Sequence, residues 1–358
     1  MKKLITTFII FTMCLYQGCS KLEVSWKFKT DGQVHTTPLI YNGLVIFGSD
    51  DQYLYSLTEA SGEEKWKFKT AGAIRSSAIV DRGIIYFGSN DHYLYAVYMK
   101  NGQRKWRFKT EGAINSTPTL YGNTLLFGSD DGYLYAINKD SREIKWKFKT
   151  NDWVTSTPVM EKDIVYFGSN DHNFYAVSMK SGKEIWRFKS KGIINSSPII
   201  KDKVVYFGSN DGNMYALDAE TGKKVTFEEV ISDTKTAYRT WTFSTEGSIS
   251  SKPLITKEKE KNIYFGSYDN NFYSVDKESG APKWSFQSSG PIVSSPIVMK
   301  DSICITSLDK YMYLLDPETG KVKQKFAAED SIYSSPNVNE EFIYFGSNDN
   351  FMYAVKKK

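Results

Sequence analysis

Aspartate is the residue type with which this sequence most often offers chemistry, because it recurs at one place in a repeated pattern. The recurring aspartates are Asp50, Asp51, Asp91, Asp130, Asp131, Asp171, Asp211, Asp269, Asp309 and Asp349. Carboxylate oxygens bind calcium, but one ion needs six to eight oxygens within about 2.6 Å. Successive positions lie about 40 residues or more apart, so we expect separate turns in which each aspartate bonds its own backbone. No calcium site is predicted.

Histidine and cysteine are the other residue types that could hold a metal or act in catalysis. The histidines are His35, His92 and His172, and the cysteines are Cys14, Cys19 and Cys304. The histidines fall in three different repeat units, which favours exposed loop positions over a shared metal site. The cysteines are too few and too scattered for a metal cluster. With no nucleophile beside a base and no glycine-rich phosphate loop, we predict no catalytic residue, no metal and no cofactor.

Cys19 is the cysteine whose context predicts a chemical role. Met1-Lys2-Lys3 is a basic start, and the apolar run over residues 4–15 is too short to span a bilayer but typical of a secretory signal. Gly18 before Cys19 resembles a bacterial lipoprotein signal, in which the cysteine becomes the first mature residue and receives the lipid. Tyr16 departs from that pattern, which usually has an aliphatic residue there. We predict a signal peptide over residues 1–18 and lipidation of Cys19; the alternative is an ordinary secretory signal.

The context of Cys19 also predicts a location. Ser20 after the cysteine resembles lipoproteins directed to the outer membrane, so the expected location is the periplasmic side of that membrane, with a lipid anchor. A soluble periplasmic or secreted protein is the alternative. The formal net charge of +5 is too mild to indicate nucleic-acid binding.

A repeat of 40 residues must position all of these side chains. Trp26 begins the segment Trp-Lys-Phe-Lys-Thr, which returns 40 residues on at Trp66 and in three further copies, and variants near Trp241, Trp284 and Gln324 bring the number of units to eight. In an array of this period each unit packs its apolar face on its neighbours. Aromatic residues make up 15% of the chain, which suits many short strands. The repeat therefore predicts one all-β domain over residues 19–358.

Within a unit, three tight turns rich in Gly, Asn and Asp separate four short apolar or alternating segments, which indicates a four-stranded antiparallel sheet. The fold class is an eight-bladed β-propeller. Its blades are expected at about 36–70, 76–110, 116–150, 156–190, 196–245, 251–288, 294–327 and 334–358. The last of these lacks its own Trp-Lys-Phe strand, and the chain begins with an unassigned one, so we predict that residues 22–30 complete the last blade and close the ring.

The fourth strand of each blade alternates aromatic residues with Lys or Arg, which places it on the outer rim. Charged side chains on an exposed edge oppose pairing with another sheet, so we interpret the lysines as edge protection. A basic belt that touches anionic lipid or cell-wall polymer is the alternative.

The junction between the third and fourth strands carries the most specific motif. It occurs at residues 215–222 (Tyr-Ala-Leu-Asp-Ala-Glu-Thr-Gly), at 273–280 before Trp284, and at 313–320. These segments resemble the tryptophan-docking motif of the quinoprotein-like eight-bladed propellers, and the resemblance covers nearly all of residues 22–358. It implies a glycine in the turn and a tryptophan stacked between neighbouring blades. Those residues would be Gly62, Gly102, Gly182, Gly222, Gly280 and Gly320, with Trp66, Trp106, Trp146, Trp186, Trp241 and Trp284.

The same resemblance bears on function. The family includes quinone-dependent dehydrogenases, which are alike in a vicinal cysteine pair, a calcium site and long insertions, none of which this sequence shows. It also includes a lipoprotein of the outer-membrane β-barrel assembly machinery. The resemblance therefore implies a scaffold without catalysis that binds protein partners of that machinery as a monomer within a complex. The alternatives are a propeller that binds a sugar or small molecule, a sensor and, least favoured, a dehydrogenase.

Candidate binding residues lie where the units differ, since repeated positions serve the fold. The residues just before each first strand vary freely and are expected to ring the mouth of the central channel. The candidates there are His35, Arg75, Asn115, Trp153, Asn195 and Tyr333. On the opposite face, residues 225–240 are expected to lengthen the third connection of blade five. Their candidate residues, Phe227, Val230, Ile231 and Tyr238, would either dock on a partner or fold back on the blade.

Overall fold

The computed structural model describes residues 22–232, 235–256 and 261–357, and these form a closed ring of eight antiparallel blades. Each blade is a sheet of four strands, and a ninth, two-stranded sheet is an insertion in blade five. The prediction of an all-β eight-bladed propeller is confirmed. No helix among the described residues is long and apolar enough to cross a membrane.

The strands repeat in the same order from the channel to the rim. The innermost strands are β2 (Leu39–Tyr41), β6 (Ile79–Asp81), β10 (Thr119–Tyr121), β14 (Val159–Glu161), β18 (Ile199–Lys201), β24 (Leu254–Ile255), β28 (Ile297–Val298) and β32 (Asn337–Val338). The second strands are β3 (Leu44–Gly48), β7 (Ile84–Gly88), β11 (Thr124–Gly128), β15 (Ile164–Gly168), β19 (Val204–Gly208), β25 (Asn262–Gly266), β29 (Ile303–Thr306) and β33 (Phe342–Gly346). The third strands are β4 (Tyr53–Thr58), β8 (Tyr93–Tyr98), β12 (Tyr133–Asn138), β16 (Asn173–Ser178), β20 (Asn213–Asp218), β26 (Asn271–Asp276), β30 (Tyr311–Leu315) and β34 (Phe351–Lys356). The outer strands are β5 (Glu64–Lys69), β9 (Arg104–Lys109), β13 (Ile144–Lys149), β17 (Glu184–Lys189), β23 (Thr242–Ser244), β27 (Pro282–Gln287), β31 (Val322–Ala327) and β1 (Glu23–Lys29).

The core consists of apolar layers between neighbouring blades. The second and third strands supply nearly continuous apolar runs, because both faces of each blade are covered by another blade. In one layer, Phe47 stacks on Tyr55 with ring centroids 5.4 Å apart, and Phe28 of the preceding blade meets Tyr55 edge-on at 5.3 Å. Offset and edge-on pairs of this kind stabilise the packing beyond the area they bury.

The tryptophans of the outer strands join each blade to the next, as the motif predicts. The indole nitrogen of Trp66 donates to the backbone oxygen of Met99 at 2.8 Å, and a Cβ added to Gly102 would lie 2.6 Å from the indole ring. Equivalent bonds run from Trp26, Trp146, Trp186, Trp241 and Trp284. Trp106 is the exception among the described tryptophans of this set: its nitrogen is buried without a partner, and Arg142 occupies the glycine position in the left-handed conformation.

Blade eight closes the ring with the first strand of the chain. Its sheet has the order β1-β34-β33-β32, and Trp26 pairs with Ala354 in the antiparallel register. The backbone nitrogen of Thr30 donates to the backbone oxygen of Asn350 at 2.8 Å. Thr70 makes the equivalent bond to Gln52 within blade one. The predicted closure by residues 22–30 is therefore confirmed, and the described part of the ring has no open blade edge facing a missing neighbour.

The aspartates predicted to form turns do so in all eight blades. In blade four, one oxygen of Asp171 accepts from the nitrogen of Asn173, and the other accepts from Tyr175 at 2.7 Å and from the nitrogen of Asn151. The same tyrosine bond occurs at Asp51, Asp91, Asp131, Asp211, Asp269, Asp309 and Asp349. Burial raises the pKa of Asp171, but the hydrogen bonds outweigh it and leave that pKa lowered. Each carboxylate thus ties its turn to the third strand and to the preceding connection.

The insertion in blade five lies between the third strand β20 and the outer strand β23, in the third connection, as predicted. Val225 still bonds Ala216 as part of the outer edge, and the hairpin of β21 (Thr226–Ser232) and β22 (Lys235–Thr240) follows before Trp241 resumes the strand. Most other outer strands carry a one-residue bulge at this point, immediately before the tryptophan. The hairpin therefore lengthens the third connection at the point where the other outer strands carry the bulge, because a bulge residue is already outside the ladder.

Candidate functional site

Two rings of side chains surround one mouth of the channel. The first, the entry ring, consists of one residue from the segment that leads into the first strand of each blade. Its members are His35, Arg75, Asn115, Thr155, Asn195, Ser250, Val293 and Tyr333. The second, the turn ring, follows the end of each second strand: Asp50, Asn90, Asp130, Asn170, Asn210, Tyr268, Leu308 and Asn348. Asp50 donates its nitrogen to the oxygen of Gln33 at 2.9 Å, and equivalent bonds recur around the ring. The backbone is therefore uniform while the side chains differ.

One half of the mouth carries a connected set of charged and aromatic side chains, which we call the mouth cluster: His35, Asp50, Arg75, Tyr268, Tyr333 and Asn348. Arg75 makes two parallel bonds to the carboxylate of Asp50, at 3.0 and 2.9 Å. This bidentate geometry fixes the guanidinium plane. The ring nitrogen Nε2 of His35 lies 3.0 Å from the side-chain oxygen of Asn348.

Tyr333 links the histidine to the far side of the mouth cluster. Its ring lies 5.2 Å from that of His35, and its hydroxyl lies 2.9 Å from the hydroxyl of Tyr268. Tyr268 belongs to blade six and Tyr333 to the entry of blade eight, so the pair passes over blade seven. Burial lowers the pKa of His35, and Arg75 lowers it further, while Asp50 and Asn348 raise it. The histidine is therefore neutral at neutral pH.

The other half of the mouth is rich in hydrogen-bond acceptors. Asn115 donates to Asp130 at 2.9 Å, which leaves the other carboxylate oxygen of Asp130 buried and without a partner among the described residues. The side-chain oxygens of Asn90, Asn195 and Asn210 are likewise buried without a hydrogen-bond partner among the described residues. Burial raises the pKa of Asp130 to about 6 despite its bond to Asn115.

Asp130 is expected to lower the stability of the fold at neutral pH. Because its folded-state pKa exceeds the ordinary value of 3.8, the folded protein holds a proton between pH 4 and pH 6 that the unfolded chain has released. The loss of stability caused by ionising Asp130 in the folded protein therefore reaches its full size above pH 6 and disappears as the pH falls toward 4. We expect Asp130→Asn to raise the free energy of unfolding at pH 7 by about 1 kcal/mol, with allowance for solvent screening, and by less at pH 5. Urea unfolding at both pH values measures this.

The matched control for Asp130→Asn is Glu220→Gln, which neutralises an exposed carboxylate in the turn after β20. Surface changes of this kind stay within about 0.5 kcal/mol. An Asp130→Asn protein that is no more stable than the parent at pH 7 would show that the buried carboxylate is solvated or paired in solution.

The structure brings some of the predicted mouth residues together and leaves others apart. His35, Arg75 and Tyr333 share the mouth cluster, whereas Asn115 bonds Asp130 and Asn195 belongs to the acceptor-rich half. The side chain of Trp153 is 51% exposed, and that of Tyr333 is 41% exposed. The sequence reasoning missed the turn ring; its signal was the residue after the serine that follows each second strand, which is Asp or Asn in six units, Tyr268 in blade six and Leu308 in blade seven.

The candidates of the hairpin lie on the opposite face. Phe227 lines a cleft with Arg239 and with residues 279–281 of blade six, and the exposed Tyr238 donates its hydroxyl to Glu228 at 2.8 Å. Val230 and Ile231 belong to β21. Cys19 and the signal peptide over residues 1–18 lie outside the described residues. No group of three or more His, Cys, Asp or Glu that could hold a metal occurs in the described part of the chain.

The lysines of the outer strands lie over aromatic rings of the third strands. The ammonium of Lys147 is 4.3 Å from the centre of the Tyr133 ring, and the guanidinium of Arg107 is 4.1 Å from that of Tyr93. Such cation–π contacts cover apolar rim surface with charge. They favour the interpretation of these side chains as protection of the blade edges.

Taken together, blades joined by tryptophans, Tyr–Asp turns and closure by the first strand define a propeller of the tryptophan-docked, eight-bladed class. The chain belongs to the family described as "Beta-alanine-activating enzyme, beta-propeller", whose model matches residues 10–227. A comparison with curated protein sequences finds no significant match.

Solved structures share the fold at low sequence identity. BamB from Moraxella catarrhalis is 16% identical, with a TM-score of 0.76 over 94% of this chain and 100% of that one. A europium-containing methanol dehydrogenase is 12% identical, with a TM-score of 0.77 over 94% and 93%. The computationally designed Ika8 protein is 13% identical, with a TM-score of 0.77 over 92% and 98%. These likenesses concern the fold, which is shared by BamB, a dehydrogenase and a computational design.

Proposed function

We propose that this protein is a non-catalytic, lipid-anchored propeller that binds a protein partner through the channel mouth. Lipidation of Cys19 would hold it on the periplasmic side of the outer membrane. By its likeness to BamB, the proposed role is that of a scaffold in the assembly of outer-membrane β-barrel proteins.

The observation that carries this proposal is the exposure of binding-type side chains on a rigid mouth. Trp153, Tyr333 and Arg75 belong to the residue types that dominate the energy of protein interfaces. Both aromatic side chains are about half exposed, so a partner that docks on the mouth would bury them. Arg75 is held in place by Asp50, so a partner would meet a preorganised surface at a low cost in side-chain entropy.

The groups of the mouth cluster that could act in catalysis are engaged with one another. Asp50 is paired with Arg75, and His35 bonds Asn348 and packs against the tilted ring of Tyr333. This arrangement supports binding over acid–base chemistry, because a general base needs a free acceptor directed at its substrate. The family description names the propeller of an enzyme, and the methanol dehydrogenase shares the fold, so a dehydrogenase remains the alternative that a quinone-dependent activity assay would reveal.

The test is affinity purification of the full chain from detergent-solubilised membranes. We expect components of a barrel-assembly complex to co-purify, and the double variant Trp153→Ala with Tyr333→Ala to reduce their recovery about tenfold or more. The control is Tyr98→Ala, which removes a tyrosine of similar exposure from the opposite end of blade two. A Cys19→Ser chain should leave the membrane fraction.

Three outcomes would contradict the proposal. Recovery of a bound sugar or quinone in place of protein would favour a ligand-binding or enzymatic propeller. Equal losses in the double variant and in Tyr98→Ala would place the partner elsewhere. A Cys19→Ser chain that stays with the membrane would exclude the lipid anchor.

A further inference from the structure

A ring of small hydroxyl side chains, which we call the channel ring, lies two residues inside the entry ring. Its members are Thr37, Ser77, Thr117, Thr157, Ser197, Lys252, Ser295 and Ser335. Seven blades place a serine or threonine there, and these side chains are half-buried. Blade six alone places a lysine there, and Lys252 is exposed to the channel.

The hydroxyls of the channel ring connect neighbouring blades. Ser77 accepts from the nitrogen of Thr37 at 3.0 Å, and Ser197 accepts from the nitrogen of Thr157 at 3.0 Å. Ser335 accepts from Ser295 at 2.8 Å in the same way. An ammonium has no acceptor atom, so Lys252 cannot make this bond to blade five. The lysine thus lacks a contact between blades that the four serines of the channel ring supply.

The ammonium of Lys252 has no hydrogen bond or ion pair among the described residues. Although the side chain is open to the channel, the surrounding walls displace bulk water from it, and this desolvation lowers its pKa with no opposing partner. Its backbone nitrogen donates to the hydroxyl of Ser295 at 3.2 Å, which leaves that hydroxyl free to donate its own proton. Two residues that carry donors, an ammonium and a hydroxyl, therefore line the same cavity.

Lys252 and Ser295 line a cavity of about 410 Å³ whose other walls are mainly apolar. Ile199, Leu254, Pro253 and Pro296 are among the apolar lining residues, and Lys201 and Thr256 are its other polar ones. A charge in apolar surroundings is costly unless it is paired. A strongly hydrated inorganic anion would pair the charge but would leave these apolar walls in contact with water.

We propose that this cavity binds a small organic anion, a carboxylate on an apolar body. The carboxylate would accept hydrogen bonds from the ammonium of Lys252 and the hydroxyl of Ser295, and the apolar body would lie against Ile199 and Leu254. The site is deeper than the mouth cluster and shares no residue with it. It therefore does not depend on the partner-binding role proposed above.

The chain itself supplies the matched variant, because Lys252→Ser restores the residue type of the other seven blades. We expect the full chain in micelles of a neutral detergent to bind benzoate, measured by calorimetric titration, and Lys252→Ser to bind it at least about tenfold more weakly. Lys300→Ser, which removes an exposed lysine outside this cavity, should bind like the parent. Benzyl alcohol, which lacks the charge, should bind the parent weakly.

A second measurement reports on the lysine directly. Acetylation of Lys252 followed by mass spectrometry as a function of pH gives the pKa of its amine, and saturating benzoate should raise that pKa because the anion stabilises the ammonium. Benzoate binding that survives in Lys252→Ser would overturn the proposal. So would the absence of binding to the parent, or equal affinity for benzoate and inorganic phosphate.

Discussion

Trp241→Ala is expected to lower the free energy of unfolding by about 3–5 kcal/mol, the range for an aromatic side chain removed from a packed core. The indole is 1% exposed, the lowest fraction of any described tryptophan. Its nitrogen donates to the oxygen of Lys277 in the next blade at 2.9 Å, and its ring meets Tyr206 edge-on at 5.6 Å. The truncation would open a cavity between blades five and six and leave a backbone oxygen without its partner.

Urea unfolding followed by far-ultraviolet circular dichroism measures this loss. Trp153→Ala is the control, because it removes the same side chain from an exposed position and is expected to change stability by no more than about 0.5 kcal/mol. If Trp241→Ala lowers the free energy of unfolding by less than about 1 kcal/mol, the side chains at the junction of blades five and six must move to fill the cavity.

Deletion of residues 22–30 is expected to abolish recovery of a soluble monomer. The deletion removes the outer strand of blade eight, including the buried Leu22 and Trp26, and exposes the long edge of β34. An unprotected strand edge of this kind pairs with other chains. The deletion also removes the hydrogen bond from the indole nitrogen of Trp26 to the backbone oxygen of Glu59, which joins blade eight to blade one. Size-exclusion chromatography of the refolded chain should show aggregate.

A circular permutant separates loss of the strand from loss of chain length. If residues 22–30 are joined after Lys358 by a short turn like the one that connects β4 to β5, they can pair with β34 in the same register. We expect this permutant to be monomeric and to have a free energy of unfolding within about 2 kcal/mol of that of the parent. A monomeric, cooperatively unfolding deletion variant, or a permutant that aggregates like it, would contradict the closure argument.

The sequence predicted the architecture well because a propeller repeats its constraints. The period gave the number of blades, the unmatched Trp26 gave the closure, and the Asp turns were assigned to turns and not to calcium, because each requirement is local to one unit. The position of residues 225–240 in the third connection was also predicted, whereas their folding into a hairpin at the site of the bulge was not, since a bulge leaves no compositional mark that distinguishes it from a turn. The pairing of Tyr268 with Tyr333 was also beyond the sequence. It joins residues of blades that are not neighbours.

Lys252 shows a different limit. The sequence shows a lysine before a proline, which is not unusual by itself. Lys252 stands out only when the eight blades are aligned, because the equivalent residue of the other seven is a serine or threonine in the channel wall. Likewise, Arg75 was a candidate for its variability, whereas its orientation by Asp50 follows from the approach of two neighbouring blades.

The closure of blade eight also determines the order in which the protein can be completed. β1 is synthesised first and its partner β34 last, with Trp26 and Ala354 at the two ends of the chain. At ordinary rates of translation, tens of seconds separate these strands. During that time the nascent chain must carry an unpaired amphipathic strand and, at the end, an unclosed stack of seven blades. The final, most non-local pairing is therefore expected to limit the rate of folding, and a chaperone that holds β1 should increase the yield.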